Sequence, residues 1–194
     1  MAEWVSPFFN NHDPHPAILR NMNVVIRDIE KEDLEDILKV NQRNVPKVGT
    51  VTIQGLRSIF QMSCFKRLVE DEKGVFGFIL CLFPGQRYES PNYQWFSKNC
   101  EDFIYIDRIA IDERYQGNGI GSMLYAELLR FGENSSRECL CCEVNIKPPN
   151  ENSLGFHKKQ EFKKLGELDM ESGKKAVALF MKRLHSAPVD FRSN

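Results

Sequence analysis

Three glycines fall within five positions, as Gly117, Gly119 and Gly121, in the stretch YIDRIAIDERYQGNGIGSMLYAELL (residues 105–129). A β-branched run precedes them and an apolar stretch with helical spacing follows, so the chain must pass from a strand through a tight turn into a helix. Glycine admits positive φ and lets a ligand approach the main chain without meeting a Cβ. A helix starting near Ile120 leaves its first amides without intrahelical acceptors and adds the positive end of its dipole. Such a helix mouth binds phosphate. Each charge-assisted hydrogen bond there contributes ~1.5–3 kcal/mol, so a diphosphate needs little help from lysine.

Two familiar phosphate loops do not fit. A dinucleotide fingerprint read from Gly117 puts Ser122 where the third glycine belongs, and DERYQ intervenes after the strand. A P-loop needs a lysine, and residues 117–122 contain none. The pattern that remains is Q-x-x-G-x-G, formed by Gln116, Gly119 and Gly121.

The rest of the chain supplies a strand over 23–29, then an amphipathic helix in 30–44 with Leu34, Ile37, Leu38 and Asn41 on one face, and a weaker helix over 53–62. A hairpin follows, turning at DEKG (71–74). Residues 84–101, with Tyr88, Tyr93, Trp95 and Phe96, lack a period and read as a long aromatic loop that is either functional or packed on the core. Next come a strand (102–111), a helix (121–133), a strand (138–146), a helix (149–160) and two strands (161–168 and 175–184). The expected order is β-α-α-β-β-β-α-β-α-β-β. At 194 residues, with no internal repeat or long linker, the chain reads as an N-terminal extension (1–22), one domain (23–186) and a short tail (187–194).

With 26 basic and 27 acidic residues well mixed and a net charge of −1, there is no field for nucleic acid. Nothing resembles a secretory leader or a membrane span, and HDPHP (12–16) reads as a turn. Four of the six cysteines lie in apolar runs, which suits a reducing, cytoplasmic compartment. Cys139 and Cys142 form a C-x-x-C, but on a strand they point to opposite faces, so no metal is expected. Oligomeric state is not readable and a homodimer stays open.

Gln116-Gly117-Asn118-Gly119-Ile120-Gly121 resembles the acetyl-CoA pyrophosphate loop of the GNAT N-acetyltransferase superfamily, [QR]-x-x-G-x-[GA]. The segment PNENSLGFHKKQEF resembles that family's second motif through Asn150, Ser153, Phe156, His157 and Phe162, with Glu161 standing where glycine is usual. The resemblance covers about residues 23–184 and extends to a branch of predicted acetyltransferases. It implies an α/β (α+β) GNAT fold, a mixed, mostly antiparallel sheet flanked by helices, that transfers acetyl from acetyl-CoA directly to a primary amine. By the same resemblance the backbone of Ile109, Ala110 and Ile111 contacts the pantetheine arm. Gln116, Gly117, Asn118, Gly119, Ile120, Gly121 and Ser122 hold the diphosphate, while Asn150 and Ser153 serve the pantetheine or adenosine side.

Four residues are candidates for the chemistry. Glu143 corresponds to the base proposed for ribosomal-protein N-terminal alanine acetyltransferases; the plain alternative is an acid paired at the sheet surface. Asp107 lies in an apolar run, where a carboxylate is costly unless paired or functional. His157 stands where many members carry tyrosine and could donate a proton, or simply hydrogen-bond within its helix. Tyr105 is a reserve donor. Tyr93, Trp95 and Phe96 are expected either to line the acceptor groove or to cap the core, and Arg108 reads as a surface group. Two rival functions stand beside the enzyme: a non-catalytic acyl-CoA sensor, and a phosphate-binding interaction module without CoA.

Overall fold

The computed structural model describes residues 23–170 and 173–184. The expected N-terminal extension, its HDPHP turn and the C-terminal tail lie outside the described residues. The chain divides into two compact units: residues 23–82 with Asp107–Leu128, and Phe83–Ile106 with the described residues from 129 onward.

The first unit begins with β1 (Val25–Asp28) and α1 (Leu34–Arg43). Leu34, Ile37, Val40 and Asn41 recur at helical spacing and are the buried positions of α1, which packs on β3. Helix α2 (Ile53–Met62) starts at Thr52, whose hydroxyl accepts the Gly55 amide at 3.1 Å. β2 (Ser63–Asp71) and β3 (Gly74–Leu82) then form the expected hairpin. Asp71 accepts the Lys73 amide at 2.8 Å, and Gly74 takes φ +112°, a value suited to glycine.

In the second unit, residues expected as an aperiodic loop contain a helix, α3 (Pro91–Asn99). The Ser90 hydroxyl accepts the Tyr93 amide at 3.4 Å and Pro91 occupies the first helical turn, where its missing N–H costs nothing. Asn92, Tyr93 and Phe96 form its buried face. β5 (Cys139–Lys147), α5 (Glu151–Lys159), β6 (Lys163–Met170) and β7 (Lys175–Arg183) complete this unit. Its core includes Phe96, Phe103, Leu140, Val144 and Leu179.

Strand β4 (Phe103–Ile111) and helix α4 (Ile120–Asn134) each run from one unit into the other. Phe103, Ile104 and Tyr105 pair in parallel with Cys139, Leu140 and Cys141. Further along β4, a Cβ on Gly77 of β3 would stand 3.4 Å from the Ala110 carbonyl, and the Asp112 amide donates to Phe76 at 2.7 Å. The strand order is β1-β2-β3-β4-β5-β7-β6. The pairs β1/β2, β2/β3, β5/β7 and β6/β7 are antiparallel, so the seven-stranded sheet is mixed, as expected. Among the described residues no helix is long and apolar enough to cross a membrane.

The place of the usual glycine, held here by Glu161, has a visible reason for that preference. Its φ is +62°, in the left-handed region where glycine is free of a Cβ penalty, as the chain leaves α5 with the Phe162 amide bonded to His157 at 3.0 Å.

Candidate active site

In the first unit the glycine turn is held by its own side chains. After β4, Asp112 accepts the Arg114 amide at 3.3 Å and starts a 3-10 turn over Glu113–Tyr115. Its carboxylate, in a residue only 4% exposed, also accepts Arg43 Nη1 at 2.6 Å, and Arg114 Nε and Nη2 at 3.0 Å each. The Arg114 guanidinium, together with Arg43, holds the carboxyl well below the usual carboxylate range despite the opposing effect of burial. Tyr115 stacks on Phe76 with ring centroids 4.0 Å apart and donates to Asp71 at 3.0 Å. Burial first, and the Asp71 carboxylate second, push its phenol up.

Gln116 turns back on the strand. Its side-chain amide donates to the Ile111 carbonyl at 2.7 Å and, at 3.4 Å, to Asn44 Oδ1. The Asn118 amide donates to the carbonyls of Tyr115 (3.2 Å) and Gln116 (3.3 Å). Gly117 and Gly119 take φ of +79° and +82°. A Cβ at Gly117 would meet nothing within 4 Å, so backbone conformation, and not crowding by the protein, requires glycine there. The Gly119 carbonyl accepts the Met123 amide at 3.0 Å, making Gly119 the residue that opens α4; the amides of Ile120, Gly121 and Ser122 form its first turn.

Asp107 and Arg108 differ from the surface reading given to the arginine. Arg108 Nη1 donates to Asn41 Oδ1 at 2.9 Å and to the Gly49 carbonyl at 2.7 Å, and Nε lies 3.4 Å from Asp107 Oδ2. Their side chains are 11% and 4% exposed. Arg108 therefore latches β4 to the end of α1 and the segment after it. Lys47 adds a further tie, to Glu113 at 2.9 Å.

In the second unit, Tyr105 and Glu143 come together. Tyr105 is buried on β4, and its hydroxyl donates to Glu143 Oε2 of β5 at 2.7 Å. One strand step separates the pairing of Tyr105 with Cys141 from Glu143, two residues on and on the same face. Asn150 caps α5, its Oδ1 accepting the Ser153 amide at 3.2 Å.

His157 sits inside this unit at 3% exposure. Its Nδ1 is 2.8 Å from the Ser153 carbonyl and 3.3 Å from the Ser153 hydroxyl, and its ring lies between Phe156, Phe162 and Phe180. Burial pulls its pKa down, partly offset by the Ser153 carbonyl. Tyr93 is 1% and Phe96 0% exposed. The Tyr93 hydroxyl donates to the Phe83 carbonyl at 2.8 Å and accepts the Gln86 amide at 2.9 Å. Both rings pack on Tyr105, with centroids 5.5 and 5.8 Å away, while Trp95 is half-buried.

Sequence reasoning passed over Asp112, Arg43, Asn44, Tyr115 and Asp71, the residues that fix the turn leading into the loop. An acid closing a strand two residues before an arginine carries the signal of a side-chain cap, but its partner Arg43 lies 69 residues away.

Residues 33–162 match the Acetyltransferase (GNAT) family. No curated protein matches the chain. Among solved structures, an N-acetyltransferase from Staphylococcus aureus Mu50 is similar at TM-score 0.64 and 24% identity, covering 84% of this chain and 99% of its own. The ribosomal-protein-S18-alanine N-acetyltransferase from Escherichia coli is similar at TM-score 0.65 and 16% identity, covering 85% of this chain and 96% of its own. Arabidopsis thaliana NAA60, solved in complex with acetyl-CoA, gives TM-score 0.65 and 16% identity, covering 82% and 98%. At these identities the structural likeness speaks for the fold.

Proposed function

The chain belongs to the GNAT acetyltransferase family, and on that premise we propose that it carries acetyl from acetyl-CoA directly to a primary amine. The observation that carries this reading is the glycine turn. Two positive-φ glycines and the first amides of α4 make a donor-lined mouth, held in shape by Gln116, Asn118 and Asp112. A diphosphate fits such a mouth because main-chain N–H groups and the helix dipole supply the compensation. Gln116 to Ser122 take the diphosphate in this reading, and the main chain of Ile109 to Ile111 takes the pantetheine arm.

The chemistry needs a neutral amine, an acceptor for its proton, and placement against the thioester. Glu143 is the base in this reading, with Tyr105 fixing the rotamer of its carboxylate through the 2.7 Å hydrogen bond. The amine nitrogen attacks the acetyl carbonyl carbon, the carbon–sulfur bond breaks, and the amine proton passes to Glu143 while CoA leaves as thiolate. Asp107 lies at ion-pair distance from Arg108, though Oδ2 and Nε make no hydrogen bond, and His157 is bonded to Ser153, so both are read as supports. Trp95 remains the aromatic candidate for the acceptor side, with Tyr93 and Phe96 packing behind it. Six free cysteines support a reducing, cytoplasmic setting.

Release of CoA thiol from acetyl-CoA, followed across polyamines, amino acids and peptides with a free N-terminal alanine, tests the reading. At least one amine should give turnover. Glu143→Gln should lower kcat by about 10²–10⁴ with little change in KM for acetyl-CoA, and Tyr105→Phe should lower it less. Silence across the panel with acetyl-CoA still raising Tm would leave an acyl-CoA sensor; no thermal shift would sink the donor site itself.

A further inference from the structure

In the first unit the segment between α1 and α2, residues 44–52, forms a strap with little core of its own. No residue from 45 to 52 is fully buried, and Pro46, Lys47, Gly49 and Thr50 are exposed. The strap is nevertheless fastened at several points. Asn44 Oδ1 accepts the Gln116 side-chain amide at 3.4 Å, and Lys47 pairs with Glu113 at 2.9 Å. Further along, the Gly49 carbonyl accepts Arg108 Nη1 at 2.7 Å and the Asn41 side-chain amide at 3.2 Å. Arg108 Nη1 also donates to Asn41 Oδ1 at 2.9 Å, and Gln42 Nε2 donates to the Val51 carbonyl at 2.9 Å. The anchors on β4 and the glycine turn therefore fall within residues 108–116, the stretch of chain read above as the start of the donor site.

We propose that Arg108 is a positioning residue for the donor: by gripping the Gly49 carbonyl it keeps the strap against residues 108–116, where it walls the pantetheine arm. This rests on the reading of residues 109–122 as the acetyl-CoA site. The arginine is an expensive fastener, since its side chain is only 11% exposed. A cation buried to that degree gives up hydration that an exposed segment without a core does not return in stability. The fork reaches the strap and the end of α1 together, so one side chain sets the spacing between α1, the strap and the strand residue preceding Ile109. Arg108 acts through the strap and not by contact with the donor. Released from the Gly49 carbonyl, the strap moves off the track, and acetyl-CoA loses a wall while the chain stays folded. A purely architectural arginine would instead change the stability of the chain and leave the affinity of its folded form as it was.

The test is isothermal titration of the full chain with acetyl-CoA well below Tm, paired with urea denaturation of the same variants. Arg108→Ala should raise Kd at least about tenfold, and Arg108→Lys, which keeps a cation beside Asp107 but gives up the fork, should raise it about threefold. Gln42→Ala alters an exposed side chain that holds the strap at Val51, so Kd should rise about threefold while the urea midpoint barely moves. A rise in both Arg108→Lys and Gln42→Ala supports the proposal even where Arg108→Ala fails to fold. Wild-type binding together with wild-type affinity in Arg108→Lys or in Gln42→Ala would overturn the role of Arg108 alone. Absence of binding by the wild type would overturn the donor site and this proposal together.

Discussion

Removing the Asp112 carboxylate is the sharpest test of how the glycine turn is held. Asp112→Ala deletes an acceptor that serves the Arg114 amide and two guanidiniums in a residue 4% exposed. Loss of a side-chain cap of this kind costs about 1 kcal/mol. The Arg43 side chain is 50% exposed, so its ion pair is largely solvated and contributes roughly 0.5 kcal/mol, while Arg114, 72% exposed, is left out of the sum. The sum is about 1.5 kcal/mol, and Asp112→Asn, which keeps an acceptor for the amide, should lose about a third of it. For a chain of this size about 1.5 kcal/mol corresponds to a Tm drop of about 3–6 °C. The pH dependence fixes the mechanism. The folded-state pKa of Asp112 is lowered, chiefly by Arg114. Its contribution is therefore present above an unfolded value of about 3.9 and fades as the pH falls through the folded one. Urea denaturation at neutral pH should show the full gap between wild type and Asp112→Ala, and the gap should narrow steadily below about pH 4. Acetyl-CoA affinity should weaken with stability, since the turn orients the amides. A cost under about 0.5 kcal/mol, or a gap that does not narrow in acid, would refute this account.

Two further outcomes can be read from folding measurements alone. Glu161→Gly should stabilise the chain by about 0.5–1 kcal/mol, because the residue holds φ +62° and its ion pair with Lys182 involves a carboxylate 85% exposed; a lower Tm would count against the left-handed exit from α5. His157 has a lowered folded-state pKa, so the unfolded chain binds the proton more readily and stability should decline as the pH falls below about 6.5; in His157→Gln the urea midpoint should change less between pH 7.5 and 5.5.

The strand, turn and helix around the glycines are legible because each residue there speaks locally: β-branched side chains, then glycines at positive φ, then helical spacing. The DEKG hairpin is legible for the same reason. Helix α3 is hidden because its nine residues offer only Asn92, Tyr93 and Phe96 to the core, too short a run for periodicity, and its start rests on a single serine cap. Arg108 looks like a surface residue by strand alternation, yet its partners Asn41 and Gly49 arrive from 67 and 59 residues away. Tyr105 and Glu143 are each visible as candidates, but the bond between them follows from a parallel register that no local pattern encodes. His157 is recognisable by position; its enclosure by three phenylalanine rings is a property of tertiary packing.

Gln116 spends its side-chain amide on the carbonyl of Ile111, five residues back. That side chain is thus a clasp between the loop and the strand that feeds it. Its hexapeptide writes a path for the main chain. Transplanted to a strand–helix junction lacking a carbonyl at the place of Ile111, the same six residues would lose that clasp, and a borrowed sequence would not bring the path with it.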